Sequence, residues 1–507
     1  MLVFEELIYL VFAIVVSVLL LNGWRSIAVC KPRKRLPPSP SKLPIIGNLY
    51  RLGKFPHRWL QSFSKRYGPL TLLHQGNIPV LSASSADAAR EIMKNQDLIF
   101  SNRPKMSSAD KLLYGSRDVA FSPHGEYWRQ MRSICVLQLL SNKRVQSYSG
   151  VREEETSLMV EKISQLSTAS SPVVNLSDVL VTLTNNVICK VALGRRYGED
   201  GEGRSMIFLG EFMELLGTSS VGDYVPWLAW TNWINGLDAR RERVAKLFDK
   251  FLEQVVQEHR EMREKVGEGS ALAAIDFVDI LLEFQRENAS GSPIEDEAIK
   301  ALITDIFTAG TDTTSTTLEW TMAELLKNPK TMKTLQNEVR EAAGSNCEID
   351  EECLEKMPCL KAVIKESLRL HPPVPLLLPR ESTRDTKVLG YDVAAGTRVL
   401  INAWAIGRDP SMWENPEEFH PERFLETSID FRGLHFELIP FGAGRRGFPG
   451  ITFATSVFEL ALSKLVHNFD FGLPNGGRWE DLDMTEDSGI VIHKKFPILV
   501  VITPHVF

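Results

Sequence analysis

From Leu7 to Trp24 the chain reads LIYLVFAIVVSVLLLNGW, eighteen residues without a charge. As a helix rising about 1.5 Å per residue the run reaches roughly 27 Å, enough to cross the hydrocarbon core of a bilayer. Glu5 and Glu6 precede it, and Arg25, Lys31, Arg33, Lys34 and Arg35 follow it. A secretory leader carries its basic residues in front, so this order predicts a retained transmembrane anchor with the rest of the protein on the cytosolic side. Pro37, Pro38, Pro40 and Pro44 then exclude helix and predict a stiff hinge turning at Gly47 and Asn48. The expected division is a membrane anchor over 1–24, a basic and proline-rich hinge over 25–50, and a single large domain over 51–507.

Beyond the hinge, apolar residues recur at three and four spacing in Ala86–Asn95, Tyr127–Leu140, Val151–Leu166 and Arg240–Lys265. Short strand-like pieces such as Pro79–Ser82 and Thr397–Ile401 interrupt them. The predicted fold is mainly α with small β-sheets. The longest helix is expected from Asp296, after Ser292-Pro293, to Lys327, before Asn328-Pro329. Leu302, Ile303, Ile306, Phe307 and Ala309 leave it little polar face, which places it in the interior. Its middle carries Ala309-Gly310-Thr311-Asp312-Thr313-Thr314. Glycine there costs about 1 kcal/mol against alanine, and Thr and Asp compete for backbone bonds. Such a local penalty predicts that something sits against the helix, either a bound group or a neighbouring helix admitted by a notch of small residues.

Composition then narrows the classes. The 507 residues are 44% hydrophobic and 24% charged with a net charge of −6, a balance that gives no electrostatic grip on nucleic acid. Cys30, Cys135, Cys189, Cys347, Cys353 and Cys359 are scattered without a CxxC pair. That pattern argues against a disulfide scaffold and a structural zinc module.

Four motifs follow in order. Trp128 and Arg132 stand four apart; Glu366 and Arg369 stand three apart in KESLRLHPP; PERF spans 421–424; PFGAGRRGFPG spans 440–450. Each is common alone, and an ExxR pair on a helix is usually a surface ion pair. Together with the proline hinge and AGTDTT they resemble the membrane-anchored plant members of the cytochrome P450 family over essentially the whole chain. LSNKRVQS, INAWAIGRDP and EDLDMTEDSGI are similar to the psoralen-synthase-like group within it.

The resemblance implies the cytochrome P450 fold, with haem (Fe protoporphyrin IX) between the long helix and the Gly-rich loop. It implies a monooxygenase that oxidises a lipophilic plant secondary metabolite with O2. Electrons would come from NADPH through NADPH-cytochrome P450 reductase, at the endoplasmic reticulum membrane. Carried over by residue, Glu366, Arg369 and Arg423 form a buried ionic triad, and Trp128, Arg132, Arg380 and Arg446 hold the haem propionates. Phe441 and Gly450 belong to the cofactor loop, Ala309 and Gly310 leave room for dioxygen, and Asp312 and Thr313 deliver protons. Substrate contacts fall in Ser101–Phe121, at Ile303, Ile306 and Phe307, across Val374–Leu378 and at Gly489–Val491, with Ile490 between them.

One position departs from the family. Its loop reads FxxGxRxCxG, where the cysteine thiolate is the iron's axial ligand; Phe441, Gly444, Arg446 and Gly450 match, but the ligand position is Phe448. Phenylalanine has no lone pair, so no metal ligand is expected from this loop and ordinary monooxygenase chemistry should fail. His435, thirteen residues earlier, would need the chain to rearrange, and no cysteine lies near the loop in sequence. Three readings stay open: a one-base loss of a cysteine codon, as in an inactive allele or a sequence error; a haem-inert, membrane-anchored ligand-binding scaffold; and a non-oxidative or altered-haem catalyst. Gly442, Gly444 and Gly447 also spell GxGxxG, but Pro440 and Pro449 bracket them and no strand–helix alternation surrounds them, against a dinucleotide site.

Overall fold

The computed structural model describes residues 34–506 except 52, 169–172, 198–203, 267–275, 289–293 and 345–348. The expected anchor over 1–24 and the start of the hinge lie outside the described residues. Residues 34–42 of the hinge have no regular structure. Leu43 then pairs with Gly47, at φ +62°, and Gly47 with Gln75, so the expected turn rests on the tip of the first hairpin.

The long helix runs over Asp296–Lys327, as its pattern predicts. Asp296 and Glu297 lie in its first turn, where the partial positive charge of the helix end favours acidic groups. Asn328 ends it and Pro329 opens the next helix, Pro329–Ala343. Most of its buried threonine hydroxyls are satisfied within the helix, although among the described residues Thr311 Oγ1 meets no partner and Thr316 bonds to His493 Nδ1 at 2.8 Å. Thr304, Thr308, Thr313, Thr317 and Thr321 each donate to the carbonyl four residues back, which removes most of the desolvation cost of burying them.

Around this helix pack Leu176–Leu193, Pro358–Leu370 and Ile451–Asn468. Leu176–Leu193 is long and apolar enough to cross a membrane, but 67% of it is buried, and it serves as a core helix. Tyr127–Leu140 is not one regular helix. It is an α-helix over Glu126–Ile134 running into a π turn over Cys135–Leu139, a distortion common beside functional sites. Ala86–Asn95 is broken in the same way, at Glu91.

The sheets are small. Strands β1 (Leu70–Gln75), β2 (Ile78–Ala83), β3 (Val173–Asn175), β4 (Arg380–Glu381), β5 (Thr386–Val388), β6 (Tyr391–Val393), β7 (Arg398–Ile401), β8 (Phe469–Gly472) and β9 (Leu499–Pro504) form sheets β1-β2-β7-β4, β3-β9-β8 and β5-β6. β2 and β7 run parallel, with Val80 opposite Arg398. None of the strands leads into 440–450, where Gly444–Arg446 makes a single 3₁₀ turn. The GxGxxG match therefore lacks the strand–turn–helix a dinucleotide needs.

Chain-distant ion pairs tie the ends of the domain together. Glu486 takes His57 Nε2 at 3.1 Å and Arg58 Nε at 2.8 Å. Burial alone would raise its pKa, but the bonds from His57 and Arg58 prevail and pull it from the usual 4.5 down to about 2. A depressed carboxyl pKa contributes stability above the unfolded value that is lost as pH falls toward the folded one. Between about pH 4.5 and 2 the thermal midpoint of the protein should therefore fall more steeply than that of Glu486→Gln; parallel curves would remove this contact from the stability balance.

Candidate functional site

The loop over 440–450 is shaped by what it touches. Gly444 has φ +69°, and a Cβ there would stand 2.1 Å from the Met93 carbonyl oxygen, so only glycine fits. Asp97 receives Arg445 N at 3.1 Å and the Arg445 guanidinium at 3.0 Å, and pairs with Arg380 at 3.4 Å. Phe448 N donates to Phe441 O at 2.9 Å, which closes the loop. The two rings stack at 5.9 Å and 15°. Gly450 N-caps Ile451–Asn468, so position 448 lies just before a helix N-terminus.

Between this loop and the central helix lies a cavity of about 240 Å³. The central helix gives it Ile306, Ala309, Gly310 and Thr313; Val374, Leu377, Leu378, Ile490 and Val491 close it with apolar surface. Trp128, Arg132, Arg380, Phe441, Arg446, Phe448 and Gly450 line it as well. The structure thus brings together Ala309, Thr313, Val374, Leu378 and Ile490 with the residues singled out for the cofactor.

Two substrate candidates are placed elsewhere. Ile303 and Phe307 do not line the cavity: both are in the core, 0% and 1% exposed, and Phe307 faces Phe248 with ring centres 6.1 Å apart. The helix is apolar nearly all round, so its periodicity cannot say which residues meet a cavity and which meet a helix. Asp312 is also off the cavity wall, with Oδ2 3.3 Å from His493 Nε2. Thr313 Oγ1 donates to Ala309 O at 2.5 Å.

The arginines are the unusual electrostatic feature. Arg446 donates to the carbonyls of Ser101, Val119 and Ser122 and lies 4.1 Å over the Trp128 ring. Arg132 donates to Gly447 O at 2.6 Å and Arg380 to Ala443 O at 2.9 Å. Arg103, which the sequence did not single out, joins them by donating to Ala120, Leu378 and Pro379 carbonyls. Burial, reinforced by Arg380, pulls the Arg446 pKa down to about 9, and burial with Arg446 and Arg380 also lowers that of Arg103 well below the usual guanidinium range. Four guanidinium groups beside an apolar cavity, met by few carboxylates, favour an anionic ligand.

This donor set fits a flat, apolar group that carries carboxylates at one edge, as haem does. It does not fit the metal, since Phe448 offers no lone pair. Sequence spacing put no cysteine near the loop, yet folding brings Cys135 onto the same cavity wall. Its thiol is pushed by burial up to about 12, despite the opposing pull of Arg132, so it stays protonated.

The triad assembles as the motifs imply. Glu366 and Arg369 make two bonds at 2.7 and 2.8 Å, and Arg423 reaches Glu366 at 3.2 Å. Arg369 also donates to Gly407, Pro416 and Glu418 carbonyls, pinning the chain ahead of PERF.

Gly310 has two neighbours, the cavity and Leu176–Leu193. A Cβ there would stand 2.4 Å from Ile188 Cδ1, which makes the glycine a notch admitting that helix. Gly310→Ala gains up to about 1 kcal/mol of helix propensity but overpacks by about 1–3 kcal/mol. Its thermal midpoint should fall in the parent and should not fall in an Ile188→Val background, where the clashing methyl is gone. An equal drop in both backgrounds would refute the notch.

Residues 37–501 match the family described as Cytochrome P450. The chain is 64% identical to Cytochrome P450 71A6 of Nepeta racemosa, covering 93% of this chain and 94% of that one. It is 58% identical to (+)-menthofuran synthase of Mentha piperita, with 93% and 94% covered. Among solved structures it is similar to a zebra fish cytochrome P450 with abiraterone, at a TM-score of 0.75 and 27% identity, covering 90% of this chain and 100% of that one.

Proposed function

The chain belongs to the cytochrome P450 family of monooxygenases, and from that premise we propose that its cavity binds haem and a lipophilic plant secondary metabolite, with Phe448 withholding the thiolate that oxidation requires. The convergence of Arg132 on Gly447 O, Arg380 on Ala443 O and Arg446 on the Trp128 ring, all four residues lining one apolar cavity, carries this reading. Trp128 and the three arginines hold the propionates, exchanging backbone carbonyls for carboxylates. Val374, Leu378 and Ile490 exclude water from the substrate side. Asp312 and Thr313 pass protons toward the cavity. Haem bound there would supply the iron for oxygen chemistry, and a thiolate ligand would supply the electron density that favours O–O cleavage.

Electrons come from NADPH through cytochrome P450 reductase, and the protein lies on the endoplasmic reticulum membrane. Its surface supports that placement. Trp227, Trp230 and Trp233 are exposed, Trp233 by 80%, in short helical turns after Tyr224. Asn77 N donates to Tyr224 O beside the hairpin tip on which Gly47 rests, next to exposed Leu43, Ile45 and Ile46. One apolar, tryptophan-rich face adjoining the hinge suits a membrane interface.

A second reading, a haem-inert ligand-binding scaffold, is favoured by one observation: the Phe448 ring stacks on Phe441 where a ligand atom would be needed. Carbon monoxide difference spectra of the reduced chain and of Phe448→Cys separate the two. A thiolate-type spectrum from the variant alone supports the first reading. The same spectrum from the chain as it stands overturns the role given to Phe448.

A further inference from the structure

Residues 490–494 run along the central helix beside the cavity, and their backbone is held on both sides of one histidine. Ile490 and Val491 line the cavity. Ile492 N donates to Pro373 O at 2.9 Å, and Trp320 Nε1 of the central helix donates to Ile492 O at 2.9 Å. Asp487 N donates to His493 O at 2.8 Å. These bonds set the His493 imidazole against the central helix at Asp312 and Thr316. Thr313 and Thr317 turn their hydroxyls to their own helix, but Thr316 Oγ1 meets His493 Nδ1 at 2.8 Å. Asp312 Oδ2 stands 3.3 Å from His493 Nε2. That oxygen is sealed from water and takes no aligned hydrogen bond among the described residues. The histidine side chain, by contrast, is 40% exposed. Next along the helix Thr313 lines the cavity, so water, His493, Asp312 and Thr313 stand in an order that leads inward from the surface.

A charged imidazole suits this place. With a proton on each ring nitrogen, Nδ1 faces the Thr316 hydroxyl and Nε2 the Asp312 carboxylate. The acids that face it are Asp312 and Glu319 from the central helix and Asp487 from the segment before it. The nearby cations are engaged elsewhere. Lys494 donates to Asp483 O and lies 5.3 Å from the centre of the Trp320 ring, and Lys54 pairs with Asp487 at 3.5 Å. Burial opposes the charge, but Asp312 with Glu319 and Asp487 outweighs it and raises the imidazole pKa.

We propose that His493 is the positioning residue through which Asp312 exchanges its proton with solvent. The inference rests on the proton-delivering role given to Asp312 and Thr313. In the transfer the Nε2–H bond breaks and an Oδ2–H bond forms, leaving a neutral imidazole and a neutral carboxyl group. The imidazole regains a proton from water, and Asp312 gives its own up toward Thr313 and returns to carboxylate. Supply is full while the imidazole is charged and falls as pH rises through its midpoint.

Two measurements test it. In the full chain as it stands, the His493 ring resonances, assigned by their loss in His493→Gln, should titrate above the ordinary histidine value of 6.5. Asp312→Asn should bring that midpoint down by about 1 pH unit or more. A midpoint at or below 6.5, or one that Asp312→Asn leaves in place, would overturn the proposal whether or not haem binds. In Phe448→Cys with reductase and no added substrate, NADPH oxidation above the Phe448→Ser background should slow as pH rises through the same midpoint. His493→Gln in that background keeps an amide to bond Asp312 but cannot carry a proton. It should run several-fold slower, lose the pH dependence and show a larger slowing in deuterium oxide. A rate, pH profile and isotope effect equal to those of Phe448→Cys alone would overturn the proposal and leave the haem reading standing.

Discussion

Reduced Phe448→Cys should bind haem and give the carbon monoxide spectrum of a thiolate-ligated iron, while the chain as it stands should give none. The phenylalanine ring supplies no lone pair, whereas every other contact of the loop is made: Phe448 N to Phe441 O, Arg132 to Gly447 O, and Asp97 to the loop's other arm. The site is also prepared for sulfur. Position 448 precedes the N-terminus of Ile451–Asn468, whose unpaired N–H groups lower a nearby thiol's pKa. Removing the ring leaves space beside Gly450, where a Cβ would otherwise stand 2.9 Å from the ring. Turnover with NADPH and reductase should rise from background in the parent to a measurable rate in the variant. Phe448→Ser, which restores space but not the ligand, should show neither signal. Failure of Phe448→Cys to bind haem would mean that the site has decayed at more than one position.

Glu366→Gln should destabilise the protein by about 3–5 kcal/mol, because it leaves a guanidinium buried without its counter-charge. Glu366 and Arg369 are 0% and 1% exposed, and Glu366 also accepts His420 N at 2.8 Å. Arg423→Ala should lose less, about 1–2 kcal/mol, because the Glu366–Arg369 pair survives. Replacing Glu366 and Arg369 together by apolar residues, a change that often rescues a buried ion pair, should fail here. Arg369 also satisfies three backbone carbonyls, which would then be orphaned. Urea midpoints of the four proteins order these effects; Glu366→Gln within about 1 kcal/mol of the parent would show that the triad does not hold the fold.

Much of the molecule was legible in the chain. Asp296–Lys327 has the bounds its pattern predicts because Asn328-Pro329 stops the helix by local sterics. Pro79–Ser82 and Thr397–Ile401 lie within or overlap paired strands. The triad was legible because its residues fall in two short motifs. Less legible was the cavity. Arg103 lies in SNRP without a spacing partner, and Val119 and Asp305 are 186 positions apart, so only packing makes them neighbours.

The sequence by itself determined the order of the motifs, the family they belong to, the long interior helix and the chemistry missing at position 448, since a side chain's lone pairs do not depend on its surroundings. The tertiary structure alone decided which faces meet the cavity. Ile306 reaches it while Ile303 and Phe307 do not; Cys135 joins its wall; Gly310 makes room for Ile188; and Asp312 meets His493 across 181 positions. A helix that is apolar on every side carries no mark of its partners, and contacts between distant segments are set by how the helices pack rather than by any local pattern.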